Sequence, residues 1–224
     1  MDKLSQLLPG ETISVTVRVL DEPEENKVNG RRKLKARVGD GDNIANLVAW
    51  DLEADRLNIA KDEILEIVDG ECPALHKDTR HSPTLLVTKK TILKKKQLKF
   101  PSIQECMQGK FLDQISEYSY GIATGFINQV YQTASYFCER CKKFSDEMCD
   151  CGNFPKPIFR IRGFFSDGTK TLLFSTASEM VAEKVTKASR KEAKKINPKT
   201  LMDRPYTLLG YLRDEKFWVE DVIE

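Results

Sequence analysis

The residues best suited to chemistry are four cysteines in the order Cys138-x2-Cys141-x7-Cys149-x-Cys151. Two close thiolate pairs on one short loop can close tetrahedrally on a single metal ion, each pair forming a tight knuckle. Four thiolates fill the shell and leave no open position for water, so the implied cofactor is one structural Zn2+. Cys138 and Cys141 carry the stronger signal. The Cys149-x-Cys151 pair is tighter than the usual Cys-x2-Cys, although Gly152 suits the turn that follows. The alternative is four reduced cysteines in a mobile loop. The start, MDKLSQLLPG, lacks the basic and apolar regions of a secretory leader, so clustered cysteines point to a metal site rather than a disulfide framework. Cys72 and Cys106 stand alone and are expected to be ordinary packing residues.

The second constellation is basic residues interleaved with aromatics. Residues 31–38 (RRKLKARV) alternate, with Lys33, Lys35 and Arg37 on one face of a predicted strand, and the next strand ends in Trp50. In the second half Arg160, Arg162 and Phe164 share a face, next to Lys170, Leu172 and Phe174. Cations that neutralise phosphates, with flat rings on which unpaired bases stack, are what single-stranded nucleic acid requires. The competing explanations are that the lysines keep a sheet soluble and that Phe164 and Phe174 belong to a core. Trp218 fits an outward face or a packing role equally.

Catalytic signatures are absent from the sequence. The two histidines, His76 and His81, fall in one predicted loop without paired carboxylates. There is no Gly-rich phosphate loop and no Ser-centred nucleophile motif. The chain is expected not to be an enzyme.

These residues sit on short strands. Thr12–Leu20, 31–38, Ile44–Trp50, Glu63–Val68 and Leu85–Leu93 read as five strands, with an acidic loop after the first and a short helix at 51–60. Residues 99–118 break the pattern around a short helix after Pro101. The plan then repeats: Ile122–Tyr131, Ile158–Phe165, Thr171–Ser175, a helical stretch at 178–196, then Tyr206–Leu212 and Phe217–Ile223. Arg37 precedes Trp50 by 13 positions and Arg162 precedes Phe174 by 12, each across a Gly/Asp turn. The expected fold is mainly β: two five-stranded Greek-key barrels of the OB type, the second with a zinc-ribbon insertion and a longer helix. The implied domains are 1–99, a helical linker at 100–118, and 119–224 with the zinc knuckle at 134–155.

The 224 residues are 40% hydrophobic and 31% charged, enough for packed cores, and contain no apolar run of about 18 residues. No membrane partner is expected. The net charge of +2 does not call for nucleic acid by itself. Basic residues concentrate in 89–99 and 184–199, where a solvated face is the plain alternative.

Several stretches resemble a known family. LSQLLPGETISVTVRVL resembles the start of archaeal replication protein A-type OB domains. RVGDGDNIANLVAWD is similar to that family's second hairpin, keeping Val38-Gly39-Asp40 and Trp50-Asp51, with Asp42-Asn43 where Thr-Gly is usual. IVDGECPAL resembles the fourth strand and its exit. The second half resembles the zinc-bearing C-terminal OB domain of replication protein A large subunits, where a zinc module lies between the first two strands. FFSDGTKTLLF resembles that domain's Asp-x-x-Gly turn and aromatic-ending strand. The resemblance implies protection of single-stranded DNA in replication, repair and recombination. It also implies that Lys35, Arg37 and Trp50 occupy DNA-facing positions, with Phe174 the counterpart of Trp50. An archaeal-type cytoplasmic placement follows, or a nuclear one in a eukaryote. Two other readings stay open: a single-stranded RNA-binding OB protein, and a subunit that docks other replication or repair proteins.

Overall fold

A computed structural model describes residues 2–74, 82–141, 143–144 and 149–223. His76 and His81 lie outside these residues. The chain divides into two compact units, Met1–Gln108 with Tyr118–Tyr120, and Gly109–Glu117 with Gly121–Glu224.

The first unit contains β1 (Thr12–Val19), β2 (Glu24–Val28), β3 (Arg31–Gly39), β4 (Ile44–Trp50), α1 (Leu52–Arg56), β5 (Ile64–Glu71), β6 (Thr84–Val87), β7 (Ile92–Lys96) and α2 (Ile103–Cys106). Alternation decides the inward face of β1, where Ile13, Val15, Val17 and Val19 are buried and the residues between them are not. Five strands close a ring in the order β1-β3-β4-β6-β5 and back to β1, with β4 and β6 parallel. A closed five-stranded ring with a helix between its third and fourth strands is an OB-type barrel. Val17, Leu47, Ile67 and Leu85 fill its centre.

Two local expectations are corrected here. The acidic loop after β1 contains β2, which pairs with β3 through a two-residue turn at Asn29 and Gly30, both with positive φ (51° and 78°). The expected strand Leu85–Leu93 is two strands, β6 and β7. A turn separates them in which the Thr88 N–H donates to the Thr91 hydroxyl (3.0 Å) and that hydroxyl donates to the Asp69 carbonyl (3.0 Å). The lone cysteines pack as expected. Cys72 and Cys106 are buried, and burial pushes both thiols up.

The second unit contains β8 (Tyr120–Cys138), β9 (Lys143–Phe144), β10 (Lys156–Ser166), β11 (Thr171–Thr176), α3 (Glu179–Thr186), β12 (Pro205–Arg213) and β13 (Lys216–Ile223). Its ring runs β8-β10-β11-β13-β12 and back to β8, with β11 and β13 parallel, the same connectivity as in the first unit. The core is aromatic: Phe165 stacks on Phe217 at 6.2 Å and meets Phe174 edge-on at 6.4 Å. Val181, Ala182 and Val185 of α3 join that core. The fold is therefore mainly β, two OB-type barrels, the second with the longer helix and with β9 added beyond the ring.

The helical stretch expected at 178–196 does not run through. Lys187 adopts the left-handed conformation (φ 56°) and stops α3. A separate 3-10 turn, Arg190–Lys195, starts from Ser189, whose N–H and hydroxyl both donate to Glu192. Among the described residues no helix is long and apolar enough to cross a membrane.

Candidate nucleic-acid interface and metal centre

On the first barrel the register of β3 and β4 sets Lys33 opposite Trp50, Lys35 opposite Val48 and Arg37 opposite Asn46. Leu34, Ala36 and Val38 point into the core, so the three cations and Trp50 share the outer face. Trp50 is half-buried beneath two cations, the Arg31 guanidinium 5.1 Å and the Lys33 ammonium 5.5 Å from its ring. Arg37 is committed to Asp21, which accepts from its backbone N–H (2.7 Å) and from Nε (2.5 Å). Arg32 pairs with Glu25 (2.8 Å) and with Asp55. The hydrogen bond from Arg32 holds the Glu25 carboxyl below the usual range. The basic run on β7 is an ion-paired surface: Lys95 meets Glu63 at 2.7 Å and Lys96 meets Glu66 at 2.7 Å.

The second barrel departs from expectation at four positions. Phe174 is 0% exposed and lies in the core. In both hairpins directly paired residues are an odd number of positions apart, as Lys33 with Trp50 and Arg162 with Ser175, so residues on one face are too, because each strand alternates. The 13-residue interval from Arg37 to Trp50 keeps both outside. The 12-residue interval from Arg162 turns Phe174 inward, opposite Gly163. Leu172 follows Phe174 into the core. Arg160, expected as an outward cation, is only 5% exposed, with Nε donating to the Ser175 hydroxyl (2.7 Å) and its guanidinium 5.0 Å from the Trp218 ring. Lys170 is exposed but sits in the β10–β11 turn rather than on the strand face.

Arg162 and Phe164 do face outward, and they have a partner that sequence reasoning missed. Tyr131 of β8 is 48% exposed, its ring centroid 6.4 Å from that of Phe164, with the Arg162 guanidinium 5.9 Å from the ring. Phe164 is 37% exposed. The available signal was that Tyr131 ends the expected strand Ile122–Tyr131, which the structure extends to Cys138 and which pairs with the strand carrying Arg162. The bulges between β8 and β10 hid its facing. Gly163 is required at this irregular crossing, since a Cβ there would lie 1.9 Å from the Gln129 carbonyl oxygen. Trp218 is 9% exposed and lies between Arg160 and Lys216 (5.2 Å).

The four clustered cysteines come together. β8 runs on to Cys138, and the chain returns through Cys149 and Cys151 before β10. Their four sulfurs all lie within 4.8 Å of one another, with Cys138 and Cys151 at 3.5 Å. Tetrahedral Zn–S bonds of about 2.3 Å place sulfurs roughly 3.8 Å apart, so the spacing fits a metal ion. The backbone N–H groups of Cys151 and Asn153 bond to the sulfurs of Cys149 and Cys151, as knuckles that stabilise thiolates require. The Asn153 N–H, helped by the Cys141 thiol, draws Cys151 down to about 7. Cys141, donating to Cys151 and Cys149, is pushed up to about 12. The donor set can hold a metal ion.

Fold and site thus define a pair of OB-type barrels, each with a ring-and-cation patch on its outer face, the second with a four-thiol centre. No protein-family model matches the chain, and no curated protein matches it. Among solved structures it is similar to a murine DNA-binding protein bound to double-stranded DNA, at 8% identity over 92% of each chain with a TM-score of 0.47. It is also similar to the p204 HINb domain, at 10% identity over 96% of this chain and 98% of that one, TM-score 0.42. A third match is a replication protein A heterotrimer bound to single-stranded DNA, at 11% identity over 98% of this chain and 67% of that one, TM-score 0.38.

Proposed function

We propose that this chain is a non-enzymatic single-stranded-DNA-binding protein, replication protein A-like in role, that shields exposed strands during replication, repair and recombination. The observation that carries this reading is the pairing of accessible rings with cations on the outer strands of both barrels: Trp50 with Arg31 and Lys33, and Tyr131 and Phe164 with Arg162. Bases stack on such rings without regard to sequence, and the cations take the phosphates. We further infer that the metal at Cys138, Cys141, Cys149 and Cys151 is one structural zinc, its shell closed by four thiolates. Work on DNA would place the protein in the cytoplasm, or the nucleus of a eukaryote, with other replication or repair proteins as partners.

The test is fluorescence anisotropy of labelled single-stranded DNA, its duplex and the matching RNA across a salt series. Single-stranded DNA should bind tightest, with a log–log salt slope near −0.7 per neutralised phosphate. Trp50→Ala and Tyr131→Ala should each cost about 1–3 kcal/mol of affinity. Tighter binding to RNA would replace the substrate. Tighter duplex binding, or indifference to both substitutions, would overturn the reading.

A further inference from the structure

The second barrel carries a cavity that the ring-and-cation patch does not use. It has a volume of about 550 Å³ and lies where β8 and β10 meet the 3-10 turn Arg190–Lys195. That size is within the range of sites built for ligands. Ala134, Ile158 and Ala193 form an apolar floor, with Phe159 and Pro157 beside them. Arg190 builds the wall, donating to the Pro157 carbonyl (2.5 Å) and pairing with Glu179 (3.4 Å). Lys191 and Lys195 are exposed at the rim, and Lys191 forms no ion pair with any described residue. The acid of the same turn, Glu192, is folded back onto Ser189, whose two hydrogen bonds, with Lys195 nearby, hold its carboxyl below the usual range.

We infer that this cavity docks an acidic, amphipathic peptide segment of a partner protein, one apolar side chain entering the floor and flanking carboxylates meeting Lys191 and Lys195. Charge complementarity selects the acids. Nucleic acid is the weaker fit because a base needs an accessible ring to stack on, and the cavity's one ring, Phe159, is 1% exposed. A shallow apolar floor below a cationic rim instead suits an aliphatic or aromatic side chain flanked by acids.

The experiment measures binding of a fluorescein-labelled synthetic peptide, Asp and Glu interspersed with Leu and Phe, to the full chain. Saturable binding is expected, and a matched peptide with Ser in place of Leu and Phe should not bind. Lys191→Glu with Lys195→Glu should weaken the peptide about tenfold while leaving single-stranded-DNA affinity at the parent value. Ala134→Phe, which fills the floor and keeps every cation, should weaken the peptide by a similar factor. Equal binding of the Ser peptide would reduce the site to bulk charge and overturn the proposal. So would peptide binding that survives Ala134→Phe. A parallel loss of DNA affinity in the charge-reversed protein would make the cavity part of a nucleic-acid track instead, whereas failure of the parent chain to bind DNA at all would leave the peptide result standing.

Discussion

The two barrels are locked by the same device and decorated differently. In the first, the Asp40 carboxylate in the β3–β4 turn accepts from the Leu4 N–H (2.7 Å) through one oxygen and from Asp42 and Asn43 through the other. In the second, Asp167 in the β10–β11 turn accepts from the Leu112 N–H (2.6 Å) and from Thr169 and Lys170. Leu4 and Leu112 each begin a 3-10 turn that ends in a glutamine, Gln6 or Gln114, reaching back to the backbone before the turn. Their side chains are buried in the respective barrels. Each turn thus pins the entry of the chain to a hairpin, β3–β4 in the first barrel and β10–β11 in the second. The decoration diverges by one residue of spacing. Trp50 ends its strand outside, whereas Phe174 falls on the inner face, and the second barrel takes its exposed rings from Tyr131 and Phe164 instead. A shared plan fixes the hairpin in each barrel, but the parity of each strand decides which rings a ligand can reach.

The largest asymmetry is the four-thiol centre, and removing the zinc we propose for it is the strongest way to probe it. Structural zinc contributes apparent folding energy of about 10–16 kcal/mol in small modules. Stripping it with a strong chelator should collapse amide protection around residues 134–141 and 149–158 while residues 12–71 keep theirs. Hydrogen exchange by mass spectrometry reads both barrels in one sample, and a colorimetric zinc reporter reads the release. Cys141→Ser should reproduce the chelated pattern. Uniform loss of protection across both barrels would break the idea that the centre serves the second alone.

The parity argument makes its own contrast. Phe174→Ala removes a fully buried ring between Phe165 and Gly163, and should destabilise the second barrel by about 3–5 kcal/mol. Trp50→Ala removes a half-exposed ring and should cost the first barrel about 1 kcal/mol or less, its penalty falling on DNA binding. Denaturant titration followed by hydrogen exchange in each barrel measures both. Equal destabilisation would mean that Trp50 is a core residue in all but position.

Much of this was legible in the sequence because strand alternation and cysteine spacing are local signals. The five-strand plan of each barrel, the four-cysteine centre and the outward cations on β3 follow from period-two patterning and ligand chemistry. What escaped had non-local or single-residue causes. β2 is exposed throughout and polar up to Val28, so no alternation announced it, although Asn29-Gly30 is the dipeptide that a tight hairpin favours. The burial of Arg160 depends on Trp218, far along the chain, settling over its guanidinium. The facing of Tyr131 depends on bulges between β8 and β10 that no spacing rule reveals. The shared lock was visible as Leu4-Ser5-Gln6-Leu7 and Leu112-Asp113-Gln114-Ile115, but its meaning needs the aspartate that each leucine N–H meets.

That lock yields the smallest effect and the finest comparison. Burial works against ionisation of Asp167, yet the N–H of Leu112, the Thr169 hydroxyl and the turn N–H groups outweigh it and hold the carboxyl below its usual value. A carboxyl whose pKa is lowered by folding stabilises the protein above its unfolded pKa of about 4, and that contribution is lost as pH falls through the folded value. Asp167→Asn keeps the side chain's size but turns an amide N–H toward either the Leu112 N–H or the two turn N–H groups. It should cost the second barrel about 1–2 kcal/mol at neutral pH and flatten the decline of that barrel's stability with acid. Asp40→Asn should do the same to the first barrel at neutral pH, because Leu4, Asp42 and Asn43 donate in the same pattern. Stability curves of the two variants at neutral and acid pH decide the matter. A cost at one aspartate and none at the other would show that the two barrels share the geometry without depending on it equally.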